Sequence, residues 1–244
     1  MSEGVADIER RFFRHRFPLG DGRYIEGKVN VESWVRSYRL PQDFFKERRV
    51  LDIGAWSGGF SFYFERLGAT VVALDVMPPE QSGFDEMKTM VGGNATLVRK
   101  TIYDLDPAED GMFDAVFYQG VFYHLKHPLL ALDKINAVLP LGGILFGGGT
   151  TSDTYFGHDG LSINPKEKAF NDFPLAFFVR DNFLGDKSNW WIPNRACLAA
   201  WLKRCGFECD WITTRDGAKT NAGHTRSVTT FVARKVSDPE PEFP

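Results

Sequence analysis

Arg49 to Val76, RVLDIGAWSGGFSFYFERLGATVVALDV, reads as a strand, a glycine turn, a helix and a second strand closed by an acid. Val50, Leu51 and Ile53 make a buried first strand, with Asp52 inside it just ahead of the turn at Gly54. Gly58 and Gly59 open the helix, Gly68 caps it, and Thr70 to Leu74 form the second strand. Such a βαβ unit brings bare backbone, here Gly54, Ala55 and Gly58, close to a ligand. One unit later it supplies a carboxylate, Asp75 beside Val76, able to accept from both hydroxyls of a ribose.

What the turn lacks decides which nucleoside is expected. A dinucleotide site wants G-x-G-x-x-G, whose middle glycine lets a pyrophosphate lie on the backbone. Here the spacing is Gly54-x-x-x-Gly58, and Trp56 stands where the middle glycine would be. An indole there blocks a diphosphate, which disfavours NAD. Asp52 suits the ammonium of an amino acid, and an adenosyl ligand with an amino-acid tail is S-adenosylmethionine (SAM). A glycine turn that serves only to connect strand and helix would leave both acids unexplained.

Further along, Asn94 to Ile102 is expected as a third strand. It ends in Tyr103-Asp104 and offers adenine an apolar wall from Ile102 and Tyr103. Phe113 to Tyr118 is a fully apolar fourth strand followed by Gln119-Gly120. His127-Pro128 starts a helix through Leu139, with Leu129, Leu132, Ile135, Val138 and Leu139 on one face. Ile144 to Gly147 is the fifth strand; Glu208 to Thr213 and Ser227 to Val236 complete the sheet. Alternation of this kind predicts an α/β fold, mostly parallel, with helices on both faces and ligands at the carboxyl ends of the strands.

Five segments carry a resemblance. Gly120-Val-Phe-Tyr-His-Leu-Lys-His-Pro-Leu, Asn189-Trp-Trp-Ile-Pro-Asn and Leu202-Lys-Arg-Cys-Gly-Phe look like the tRNA wobble-uridine carboxymethyltransferase family and its methyltransferase relatives. Leu19-Gly-Asp-Gly-Arg-Tyr-Ile and Val29-Asn-Val-Glu-Ser-Trp resemble the part of that family that precedes the first strand, so the similarity runs from about residue 18 to Lys235. The resemblance implies a class I, Rossmann-like, seven-stranded sheet with an antiparallel last strand. It also implies that a lysine, a tyrosine and an arginine hold the extra carboxylate of carboxy-SAM. Tyr123 fits the tyrosine. The lysine has no match before Tyr24, though Arg23 is near, and Arg226 lies two residues from the arginine register, on the same strand face. Ordinary SAM is therefore the expected donor and carboxy-SAM the lesser alternative. The family's long basic extension has its counterpart only in the first 45 residues here.

The domain organisation expected is an N-terminal helical or lid segment over 1–45, a catalytic domain over 46–236 with a substrate-covering insert at 151–190, and a loose tail over 237–244. That insert is too polar and broken for sheet and too aromatic for a linker, which suits a binding loop. Phe170, Phe173, Phe177, Phe178 and Phe183 either wall an acceptor or pack the insert onto the domain. Asn189, Trp190 and Trp191 are the better acceptor candidates, since Pro193-Asn194 fix them at the start of the next helix.

A net charge of -3 disfavours a strong grip on nucleic acid, so a small-molecule acceptor leads and tRNA is second. The one basic cluster, Arg10, Arg11, Arg14, His15 and Arg16 around Phe12 and Phe13, reads more simply as a solvated helix face than as a phosphate contact. No apolar run approaches the ~20 residues of a bilayer span. Three cysteines without metal spacing suit reduced thiols in the cytoplasm. His124 is the candidate base, or else a histidine that bonds backbone and orients Tyr123. His124 and His127 are three apart, but no third ligand accompanies them, so no metal is expected.

Overall fold

A computed structural model describes residues 15–20, 22–153, 156–158, 161–163, 172–219 and 225–241. The arginines and phenylalanines at 10–14 and Phe170 fall outside these residues. In chain order the elements are β1 (His15–Gly20), β2 (Arg23–Ile25), β3 (Val29–Asn30), α1 (Val31–Ser37), β4 (Arg49–Ile53), α2 (Gly59–Arg66) and β5 (Thr70–Asp75). There follow α3 (Pro79–Ser82), α4 (Phe84–Val91), β6 (Thr96–Arg99), α5 (Pro107–Asp110), β7 (Ala115–Gln119), α6 (Pro128–Ala137) and β8 (Ile144–Thr151). The remainder is β9 (Phe156–His158), β10 (Leu161–Ile163), β11 (Ala176–Phe178), β12 (Trp191–Pro193), α7 (Arg195–Arg204), β13 (Phe207–Lys219) and β14 (Thr225–Lys235).

The central sheet has seven strands in the order β13-β14-β8-β7-β4-β5-β6. β4, β5 and β6 pair in parallel, with Ile53 opposite Leu74 and Leu74 opposite Val98. β14 runs antiparallel to both neighbours, opposing Thr229 to Gly149 and Phe231 to Ile212. The strand order reverses at β4, the switch point at which sheets of this kind expose their carboxyl ends to ligands. Contacts gather into two compact units. One runs to Asp104 and takes in Phe113–Phe117; the other holds Leu105–Met112 and the chain from Tyr118 onward.

The first unit is organised by aromatic rings. α2 buries Phe60, Phe62 and Phe64; Phe45 stacks on Phe64 at 4.7 Å, and Phe117 meets Phe60 at 4.8 Å and Phe64 at 5.1 Å. A helix buried on more than one face cannot show a clean amphipathic stripe, which is why its glycine start rather than its periodicity gives it away. The second unit is centred on Tyr118, Phe122, Phe146, Leu198, Phe207 and Phe231, all buried.

The structure departs from the sequence reading in five places. Residues 15–30, expected as part of a helical lead-in, form a small sheet in the order β2-β1-β3 ahead of α1. The third strand is only Thr96–Arg99, and Ile102–Asp104 is a single 3-10 turn. The fifth strand does not stop at Gly147 but continues through Gly148, Gly149, Thr150 and Thr151. Glycine is required there by space: a Cβ on Gly147 would strike the Tyr118 carbonyl, and one on Gly148 the Thr229 carbonyl. The insert, read as free of sheet, contains the β9–β10 hairpin and the β11–β12 pair. Finally, the start of the expected loose tail is tied down. Ser237 accepts from the buried Asn136 amide at 2.9 Å, and the Glu240 N–H donates to Arg204 at 2.9 Å.

Candidate active site

In the first unit the turn after β4 is held by backbone. Gly54 and Ala55 donate to the Leu74 carbonyl at 2.8 and 3.3 Å, and Gly58 closes the turn on the Ala55 carbonyl at 2.8 Å. Trp56 adopts φ 51°, a left-handed conformation that costs energy for any residue but glycine. Its N–H donates to Asp75 Oδ2 at 2.8 Å, while Met77 N–H donates to Oδ1 at 2.9 Å. Asp75 is therefore the clasp of the turn as well as the acid at the end of β5. A carboxylate oxygen has about two acceptor sites, so each oxygen keeps one for a further donor. Next to it Val76 is 62% exposed, an apolar surface beside a buried acid.

Asp52 is buried in β4 and accepts from Ser61 Oγ, one turn into α2, at 2.6 Å. Burial pushes its carboxyl up to about 7 despite the Ser61 hydrogen bond, and the Asp75 charge adds to the rise. Ser57 Oγ in the turn is buried with no hydrogen-bond partner. These features fit SAM: a carboxyl that a nearby ammonium would ionise, a ribose acid with acceptor capacity left, and an unspent hydroxyl in the turn. Ile102 is buried, leaving little side-chain surface for adenine; Tyr103 is half-buried. Tyr24 donates to Glu32 at 3.4 Å and lies under the Arg16 guanidinium, so its hydroxyl has a local role.

In the second unit Gln119 ends β7, and Gly120 (φ 76°) donates to the Gly148 carbonyl at 2.7 Å. The chain then makes a 3-10 turn over Phe122–His124. Tyr123 and His124 rings lie 4.2 Å apart, and the Tyr123 hydroxyl is 3.5 Å from where a Gly120 Cβ would stand. The Tyr123 carbonyl accepts the Trp190 N–H at 2.8 Å, and Tyr123 packs on the cluster of Val179, Phe183 and Ile192. His124 Nδ1 is 2.9 Å from Ser188 Oγ, which in turn donates to Asp186 Oδ1 at 2.5 Å. Burial raises the Asp186 carboxyl, but the Ser188 hydrogen bonds and the nearby His124 outweigh it and hold it below its ordinary range. Sequence reasoning missed this pair; its only local sign is the Asp-x-Ser spacing of a side-chain turn, which the Ser188 N–H completes at 2.8 Å.

The aromatic insert is divided in its roles. Phe183 packs inside, Phe177 is half-buried, and Phe173 and Phe178 are exposed. Trp191 donates to the Lys126 carbonyl at 3.2 Å and, with Trp201, lines an open groove of about 630 Å³ along the start of α6. Trp190 lies under the Lys126 ammonium at 5.5 Å, and Asn189 donates to the Asp186 carbonyl at 3.1 Å. Arg226 donates from Nη1 to Thr150 at 2.8 Å and keeps a buried Nε without a partner. Burial pushes the Cys197 and Cys209 thiols up to about 12 and about 11, which makes them unreactive near neutral pH. Among the described residues no three metal-ligating side chains come together, and no helix is long and apolar enough to cross a membrane.

Residues 51–147, from β4 into β8, match the methyltransferase domain family. The matching part holds the βαβ unit with its clasped turn, and the sheet around it is Rossmann-like. Among curated relatives, the tRNA U34 carboxymethyltransferase of Actinobacillus succinogenes is 30% identical over 216 residues, covering 85% of this chain and 61% of that protein. The one from Desulforapulum autotrophicum is 27% identical over 220 residues, covering 78% of this chain and 62% of that protein. The chain thus spans about three fifths of the length of these relatives. Solved structures share the fold. The N-terminal domain of EvdMO1 with SAH bound has TM-score 0.60 and 20% identity, over 96% of this chain and 98% of that one. The Burkholderia thailandensis 1,6-didemethyltoxoflavin-N1-methyltransferase has TM-score 0.55 and 19% identity, over 85% and 87%.

Proposed function

We propose that this chain transfers the methyl group of SAM to a small-molecule acceptor in the cytoplasm. The observation that carries the reading is the turn clasped by Asp75 beside the buried Asp52. Asp75 receives the ribose hydroxyls on its remaining acceptor sites, and Val76 and Tyr103 flank the adenine. Asp52, with the backbone of Gly54, Ala55, Trp56 and Gly58, takes the amino-acid end, while Gln119 and Gly120 are the cofactor candidates at the end of β7. SAM supplies a methyl group already activated by its sulfonium. The chain has to align donor and acceptor, an effect worth up to roughly 7–11 kcal/mol of barrier. Tyr123, Asn189, Trp190 and Trp191 are the acceptor-side groups, and the spare Nε of Arg226 suits an anionic or carbonyl oxygen on the acceptor. His124 takes the acceptor proton.

The test of the site is calorimetry with SAM. Each charge-assisted hydrogen bond to ribose contributes about 1.5–3 kcal/mol. Asp75→Ala is therefore expected to weaken binding at least tenfold, and unchanged affinity would refute the assignment. The names of the relatives favour a second reading, modification of a tRNA wobble uridine with SAM or carboxy-SAM. Here the Arg226 guanidinium would meet the extra carboxylate. Labelled SAM incubated with bulk tRNA and, separately, with a small-molecule extract separates the two readings by where the label appears. Mass spectrometry of the protein as purified identifies the donor.

A further inference from the structure

The groove at the start of α6 holds about 630 Å³ and is walled mainly by apolar side chains, among them Trp191, Trp201, Leu129 and Leu130. Its walls are held in place. Trp191 is fixed by the β11–β12 pair, opposite Phe178, and by its Nε1–H, which donates to the Lys126 carbonyl at 3.2 Å. Trp201 stands on α7, whose start is capped by the Asn194 side chain accepting from the Cys197 N–H at 2.8 Å. The Cys205 thiol, one turn on from Trp201, reaches the Leu129 carbonyl at 3.8 Å and ties α7 to α6. Leu129 and Leu130 are 45% and 43% exposed, so a ligand there has apolar area to cover. The charge of the groove is one-sided. Lys126 lines it, and among the described residues its ammonium meets no carboxylate, only the Trp190 ring at 5.5 Å. The first turn of α6 beside it contains no acid, and Asp133, a turn further along, is hydrogen-bonded to the Cys205 thiol.

We propose that this groove is a binding site for a small aromatic carboxylate, its ring lying on the indoles of Trp191 and Trp201 and its anion meeting the Lys126 ammonium. Preformed apolar walls with a charged group at the rim are what a small-molecule site needs. The volume also lies within the ~300–1,000 Å³ that such sites span. A flat ring suits the walls, because an aromatic pair gains more than the apolar area it buries. The charge of the ligand follows from sign. A cation would be repelled by Lys126, and a neutral molecule would leave the ammonium unanswered. Size separates the ligand from a protein partner. Eight residues line the groove, against ~20–30 on one side of a standard protein interface. All eight lie in the second unit, so the inference goes beyond the methyl-transfer reading and does not depend on it.

The experiment is an NMR titration of the full chain, labelled with nitrogen-15 at its six tryptophans, with 2-naphthoate as the probe. Trp191→Phe and Trp201→Phe assign the two indole N–H signals, and both are expected to shift together and saturate. 2-Naphthamide, which has the same rings without the charge, is expected to bind more weakly. Lys126→Gln is expected to weaken 2-naphthoate about fivefold, the upper end for an exposed ion pair, and to leave 2-naphthamide unchanged. Trp201→Ala is expected to weaken both probes about tenfold through the lost ring contact. Leu130→Glu puts a like charge in the groove at an exposed helix position where glutamate is a good helix former. That variant is expected to keep the fold, seen in its circular dichroism, and to lose 2-naphthoate binding. Absence of a saturable shift, or shifts confined to indoles other than those of Trp191 and Trp201, would overturn the site. Equal affinity for the two probes, or an unchanged affinity in a folded Leu130→Glu chain, would do the same.

Discussion

Asp52 is the residue whose environment most shapes the behaviour of this protein. Its carboxyl sits at about 7 in the folded chain against an ordinary 3.8, so the folded state holds a proton that the unfolded state releases. Stability from this group is full below about pH 4, falls as pH rises, and is lost by about pH 7, a loss of up to about 4 kcal/mol. Melting curves are therefore expected to show the ligand-free wild type losing more stability between pH 5 and pH 8 than Asp52→Asn, with the variant the more stable at pH 8. A shared slope would show that the carboxyl does not titrate as inferred. An ammonium beside Asp52 favours the ionised form, so SAM should raise the melting temperature more at pH 8 than at pH 5. In Asp52→Asn that difference should disappear.

At the scale of elements, β8 and the insert make contrasting demands. A Cβ on Gly148 would meet the Thr229 carbonyl, and backbone on both sides leaves no room to relax. Gly148→Ala is expected to cost more than about 3 kcal/mol, read as a shift in urea midpoint, if the chain folds at all. Gly142, which meets nothing within 4 Å but has φ 82°, should lose only about 1 kcal/mol on the same change. The insert hangs on a smaller core of Val179, Phe183 and Ile192. Ile192→Ala should cost about 2–5 kcal/mol locally and open Arg180 and Lys187 to trypsin while α2 and β4 stay protected. Cleavage at the same rate as wild type would mean the insert is anchored elsewhere.

For the whole molecule the decisive quantity is charge. A chain of net charge -3 that grips nucleic acid must do so through local cations, and its binding must weaken steeply with salt. Under the small-molecule reading, fluorescence anisotropy with bulk tRNA is expected to show no saturable binding at 150 mM salt, whereas micromolar binding with a steep salt slope would favour the wobble-uridine reading.

The amino-acid sequence by itself determined the βαβ unit, its glycine turn and both acids. Those are chain-local: glycine spacing, apolar runs and an acid at a strand end write their geometry within about thirty residues. Tertiary structure decided the rest. The glycine run in β8 reads as a break until Tyr118 and Thr229 are seen pressed against it. Asp75 as the clasp of the Trp56 turn depends on a bond across 19 residues. The contact of His124 Nδ1 with the Ser188 hydroxyl joins residues 64 apart. A side chain advertises what it can donate or accept, but its partner is chosen only when distant segments pack, because a hydrogen bond tolerates a few tenths of an ångström and no sequence interval encodes that distance.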